Sequence, residues 1–288
     1  MKILALMSAC ALFLVVGAQS AAAVPGNVVC TDAFSGTARN VTVPDDNFCA
    51  LAGATITHDL LVGARAGAGA DLDTPAGLTV GHDVITQEDS ELDFGATSIG
   101  HDLITGPNAS LHLERTTIGH DFLAFEPGTV QTGQVGPDTP GGPVRVGHDL
   151  LITGSPPGNE FVFDGMCDLT VGHDARVTDR SVTLGIGFGD EEVCAAQGRE
   201  SNTIGHDLVF SGNSALSGFF GPSSIEVGNN TVGHDLIFTG NTAVSGGLLE
   251  VRDNTVRHDA ICTANNPAPS SDDPADGPNL AGHVNTCG

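Results

Sequence analysis

The chain has no tryptophan and no tyrosine among its 288 residues, and its one lysine is Lys2. Without those two aromatics the interior must be built from Val, Leu, Ile and 13 Phe. Positive charge is scarce throughout: ten basic residues stand against 35 acidic ones, for a formal net charge of −25. So acidic a surface repels nucleic acid and anionic membranes, which excludes the functions that depend on basic patches. No C-x-x-C pair occurs, so the usual cysteine-based zinc modules are excluded too. Residues 54–106 do not repeat their apolar residues at helical spacing, which leaves strands as the elements to look for there.

What is present begins with an export signal. Lys2 supplies a short positive region, Ile3 to Val16 an apolar run, and Ala21-Ala22-Ala23 a small-residue cleavage site before Val24. Residues 1–23 read as a signal peptide, and the apolar run is too short for a membrane anchor. The mature chain keeps six cysteines: Cys30, Cys49, Cys167, Cys194, Cys262 and Cys287. An even number in an exported chain implies disulfides. Six cysteines allow 15 connectivities. The simplest joins sequence neighbours, each pair about one repeat apart.

The repeat is the dominant feature. A His-Asp pair recurs nine times, at His58-Asp59, His82-Asp83, His101-Asp102, His120-Asp121, His148-Asp149, His173-Asp174, His206-Asp207, His234-Asp235 and His258-Asp259. Spacings of 19 to 33 residues indicate a solenoid. Two residues before each His stands Val or Ile. Two residues after it stands Leu, Val, Phe or Ala, and Gly directly precedes seven of the nine. The 19-residue coils align without gaps, with short runs alternating apolar and polar residues, as half-buried strands do. A propeller or sandwich would need hairpin turns that this pattern lacks. We therefore expect an all-β chain, a right-handed parallel β-helix (β-solenoid) of about nine to ten coils and roughly 45 Å long. Residues 24–57 form an N-terminal cap, 54–265 the solenoid, and 266–288 a C-terminal tail closed by a disulfide. Insertions at 126–143, 155–165 and 185–200 protrude at the corners.

Stacking places nine imidazoles in one column and nine carboxylates in another. Carboxylates ~5 Å apart repel by ~1 kcal/mol in a water-like dielectric and by roughly 3–4 kcal/mol at an effective dielectric near 20. The primary reading is structural: Asp closes the turn by bonding nearby backbone, and His packs at the corner. A second reading is a ladder for divalent cations, since both side chains are ligand types. A third is a polysaccharide lyase or hydrolase, in which Arg176 and Arg180, near the acidic loop Asp190-Glu191-Glu192, grip a uronic acid. A Thr column three residues before the His raises ice binding, for which one column is too narrow. Uniform copies argue against a tuned catalytic site, because chemistry needs unlike groups to converge.

The Thr-Val-Gly-His-Asp-Leu repeat with cysteine-containing ends resembles secreted β-helix proteins of high-GC Gram-positive bacteria, whose repeats read V-G-G-D-L or V-G-G-N-L. More distantly it is similar to bactofilins, β-helices that polymerise end to end. The resemblance implies a solenoid and export, and brings no activity or site. The expectation is a secreted, extracellular, non-enzymatic structural or surface-binding scaffold. It needs no cofactor and binds no nucleic acid, and an extracellular polysaccharide or surface is its expected class of partner.

Overall fold

A computed structural model describes residues 26–70, 77–133, 142–156, 163–189, 194, 201–218, 221–270 and 277–287. The expected signal peptide, the Asp190-Glu191-Glu192 loop and parts of all three insertions lie outside the described residues. The chain winds as a parallel β-solenoid with three long faces. The first face holds eleven two- or three-residue strands such as Thr117–Ile118. The second holds eleven strands such as Phe122–Phe125, and the third holds nine, such as Ser110–Glu114. Every pairing within these faces is parallel and joins one coil to the next, as in Leu103↔Phe122 and Leu111↔Val130. A short three-stranded sheet adds a fourth side in the later coils, pairing Ser181–Val182, Ser214–Ala215 and Thr242–Ala243.

The core follows from the two apolar columns that flank the His-Asp pair. The column from Ile56 to Val256 and the column from Leu60 to Ala260 are buried at every coil. Strands such as Leu60–Val62 and Val84–Thr86 alternate inward and outward residues, because successive side chains of a strand face opposite ways. Phenylalanine fills the wider later coils, where Phe188 meets Phe210 edge-on at 5.4 Å between ring centres.

Both termini continue the winding. Residues 28–50 supply strands to all three faces, and Leu280–Ala281 pairs with Thr255–Val256. Three disulfides join Cys30 to Cys49, Cys167 to Cys194 and Cys262 to Cys287, the sequence-neighbour connectivity. Such bonds belong to an oxidising compartment and fit an extracellular protein.

Candidate functional site: a stacked imidazole–carboxylate column

The Gly-His-Asp turn joins the first face to the second and repeats with little change from coil to coil. Glycine is needed there for close approach: a β-carbon on Gly119 would lie 2.2 Å from the Gly100 carbonyl oxygen, and one on Gly147 would lie 2.1 Å from that of Gly119. With the coils this close, each His N–H donates to the His carbonyl of the preceding coil at 2.8–3.1 Å, starting with Arg39 beneath His58.

The aspartates bond across coils. Asp83 Oδ1 accepts the Asp102 backbone N–H at 3.1 Å and faces His101 Nδ1 at 3.0 Å. Asp102 Oδ1 repeats this with Asp121 at 2.9 Å and His120 at 3.1 Å. The other Asp102 oxygen, Oδ2, faces its own neighbour, His101, at 3.1 Å. From His82 to His258 each Nδ1 therefore sits between two carboxylate oxygens and carries the ring proton, leaving the neutral ring's lone pair on Nε2. The chain of acceptors starts one coil before the first His, where Asn40 Oδ1 takes the Asp59 N–H. It ends on the Val284 N–H, held by Asp259.

The sequence reading placed these aspartates on local backbone. The structure sends the bonds to the next coil, which relieves the expected repulsion by giving every ladder carboxylate backbone and imidazole donors. From His58 to His258 the imidazoles stack with ring centres 4.7–5.0 Å apart. From His58 to His173 their side chains are 46–47% exposed, so the column is an outer edge of the rod. A tenth ring, His283, meets His258 edge-on. It was missed because Val284 replaces its aspartate.

The electrostatics follow this geometry. Burial alone would raise the Asp59 carboxyl. Hydrogen bonds from His58, the Asp83 backbone and His82 outweigh it and hold the carboxyl below the usual carboxylate value. Burial is likewise outweighed at Asp174 by the Asp207 backbone, Arg176 and His206, and at Asp235 by His258 and the Asp259 backbone. At His148 the hydrogen bond to Asp121 raises the imidazole above its ordinary value, against a smaller opposing effect of burial.

Other sequence candidates fall elsewhere. Arg176 stays half-exposed and pairs with Asp174 at 2.8 Å. Arg180 is 0% exposed. It grips Asp164 through Nε and Nη2 at 2.8 and 3.0 Å and donates to the Pro127 and Gly154 carbonyls at 2.6 and 2.8 Å. That fully engaged guanidinium is unavailable to a uronic acid. Two buried asparagine ladders also escaped notice. Asn213 Nδ2 donates to Asn241 Oδ1, and Asn241 Nδ2 to Asn265 Oδ1; a second ladder runs through Asn230, Asn254 and Asn279. The available signals were the Asn seven residues after His206, His234 and His258 for the first ladder and the Asn four residues before His234, His258 and His283 for the second.

Comparison of the chain with protein-family models, curated proteins and solved structures returns no match.

Proposed function

We propose that the protein is an exported, non-enzymatic β-solenoid that serves as a rigid extracellular scaffold. One observation carries this reading. The His-Asp column, the most conspicuous chemistry in the chain, commits its carboxylates and its Nδ1 atoms to holding each coil on the next, without a break in the repeat. The likeness of the repeat to secreted β-helix proteins of high-GC Gram-positive bacteria supports the same reading, as do the disulfides. Recognition of an extracellular polysaccharide or surface falls to the insertions at 126–143, 155–165 and 185–200.

The cation-ladder reading meets a geometric obstacle. His-Asp-His groups with donor atoms within 4.8 Å of one another recur along the column. Their Nδ1 and carboxylate atoms are already paired, and parallel stacking keeps the Nε2 lone pairs from converging on one ion. The experiment is secretion and assay of the full chain. Mass spectrometry should find the mature N-terminus at Val24. Incubation with acidic polysaccharides should release no reducing ends and no unsaturated products. Turnover that survives purification would overturn the scaffold reading.

A further inference from the structure

One outward-facing column on the nine-stranded face does not repeat. From coil to coil it runs Gly69, Asp93, His112, Gln131, Gly165, Gly187, Glu226, Glu250. A polar island thus stands between glycines. Two residues beyond His112, Glu114 lies opposite Gly95. At this break in the repeat, unlike groups converge. His112 Nδ1 is 3.4 Å from Asp93 Oδ1, and His112 Nε2 is 3.4 Å from Glu114 Oε1. Glu114 is only 1% exposed. Asp93 Oδ1, His112 Nε2 and Glu114 Oε1 are all buried atoms without a hydrogen-bond partner. Beside them opens a cleft of about 330 Å³ whose polar lining is Glu91, Asp93, Ser110, His112, Thr129 and Gln131.

A buried carboxylate oxygen without a hydrogen bond is costly unless a positive charge meets it. With the ring proton on the Asp93 side, Nε2 and Oε1 face each other as two lone pairs. Something positive belongs between them, a proton or a metal ion. The spacing suits a metal: ligand distances of about 2.0–2.2 Å at a tetrahedral angle put two donor atoms about 3.4 Å apart. Asp93 Oδ1 makes no hydrogen bond as it stands, but 3.4 Å from Nδ1 it puts a carboxylate behind the imidazole, the position from which a closer contact fixes the ring and strengthens it as a ligand. Imidazole plus carboxylate selects zinc-class dications over calcium or magnesium. We infer that His112 Nε2 and Glu114 Oε1 bind a first-row transition dication, with Asp93 as the positioning residue behind the imidazole. Two protein ligands leave further coordination positions for water or for donors of a bound molecule, and His112 itself also lines the cleft.

The test is a zinc soak of crystals of the whole protein, with diffraction collected at the zinc edge. The expected result is an anomalous peak about 2.1 Å from both His112 Nε2 and Glu114 Oε1. In Glu114→Gln that peak should vanish while any peaks along the outer histidine column remain. Asp93→Asn should weaken zinc binding at His112 by about 10- to 100-fold, followed through the His112 imidazole resonances. Peaks confined to the outer column, or a peak at His112 that survives Glu114→Gln, would overturn the assignment. A wild-type measurement stands independently of folding in the variants. If nitrogen NMR shows His112 protonated on both ring nitrogens in the presence of zinc, the gap holds a proton and the inference fails.

Discussion

Each ladder aspartate uses one oxygen for two donors, and the consequences of losing it are separable. Asp102→Ala removes the acceptor of the half-buried Asp121 N–H along with the partner of His120. Urea denaturation should show a loss of about 1–3 kcal/mol, since a backbone donor is left unsatisfied. Asp102→Asn keeps an oxygen in the same place and should lose less; equal losses would mean that charge, not backbone capping, is the dominant role. The pH dependence has a definite sign. The depressed carboxyls of Asp59, Asp174 and Asp235 contribute stability above their unfolded value of 3.8 that is lost as pH falls through their folded values. The raised imidazole of His148 contributes stability below its unfolded value of 6.5 that is lost as pH rises through its folded value. Both contributions coexist only between, so melting temperature should peak in a window of about pH 4.5–6. Asp121→Ala, which removes the hydrogen-bond partner of His148, should flatten the decline on the alkaline side. A melting temperature that climbs from pH 6 to 8 would refute this account. Residue types and spacing made the column legible in the sequence. The partner of each aspartate was not, because it lies 19 to 33 residues away, where only the register between coils brings it into contact.

At the level of the element, the strands were readable because inward positions repeat in phase and a period-2 pattern has one stable solution around a shared core. Glycine before the histidine was legible as a turn residue. Its stricter role appears only when coils stack: Gly147→Ala would drive a β-carbon into the Gly119 carbonyl oxygen. Overpacking of this kind costs about 1–3 kcal/mol or more, and chemical denaturation should show it. The wild-type midpoint would contradict the close approach. Arg180 is the opposite lesson. Its composition suggested a ligand-gripping surface, whereas its geometry makes it the buried clamp between the Asp164 strand and the corner at Pro127 and Gly154. Nothing in a linear pattern separates a surface arginine from a buried one when the partner sits 16 residues back on another face. Arg180→Met should destabilise by roughly 3–5 kcal/mol, because Asp164 is left buried and unpaired. Adding Asp164→Asn, which removes the charge but keeps an acceptor for the Val130 N–H, should return part of that loss. If the double variant is no better than the single one, the cost lies in the carbonyl contacts rather than in the stranded charge.

For the molecule as a whole, stability should be a sum over neighbouring coils, since each coil touches only the next. The ends are then the weak points, and two of the three disulfides stand there. Cys30–Cys49 ties the first coil to the second, and Cys262–Cys287 ties the last full coil to the strand end beyond it. The Cys167–Cys194 bond instead tethers an insertion, with Cys194 outside every strand of the three faces. Closing loops of this size is worth about 3 kcal/mol in a chain-entropy account, yet where that stabilisation acts should differ. Replacing Cys262 and Cys287 with serine should speed hydrogen exchange at Leu280 and Ala281 and in the coil of Ala260. Amides near Leu103 and Phe122 should keep their protection, because fraying at one end does not propagate through intact interfaces. Replacing Cys167 and Cys194 should leave both ends protected and speed exchange near Met166 and Cys194. Uniform loss of protection along the rod after removal of the terminal bond would show that the coils unfold as one unit, and the nearest-neighbour picture of this solenoid would have to be abandoned.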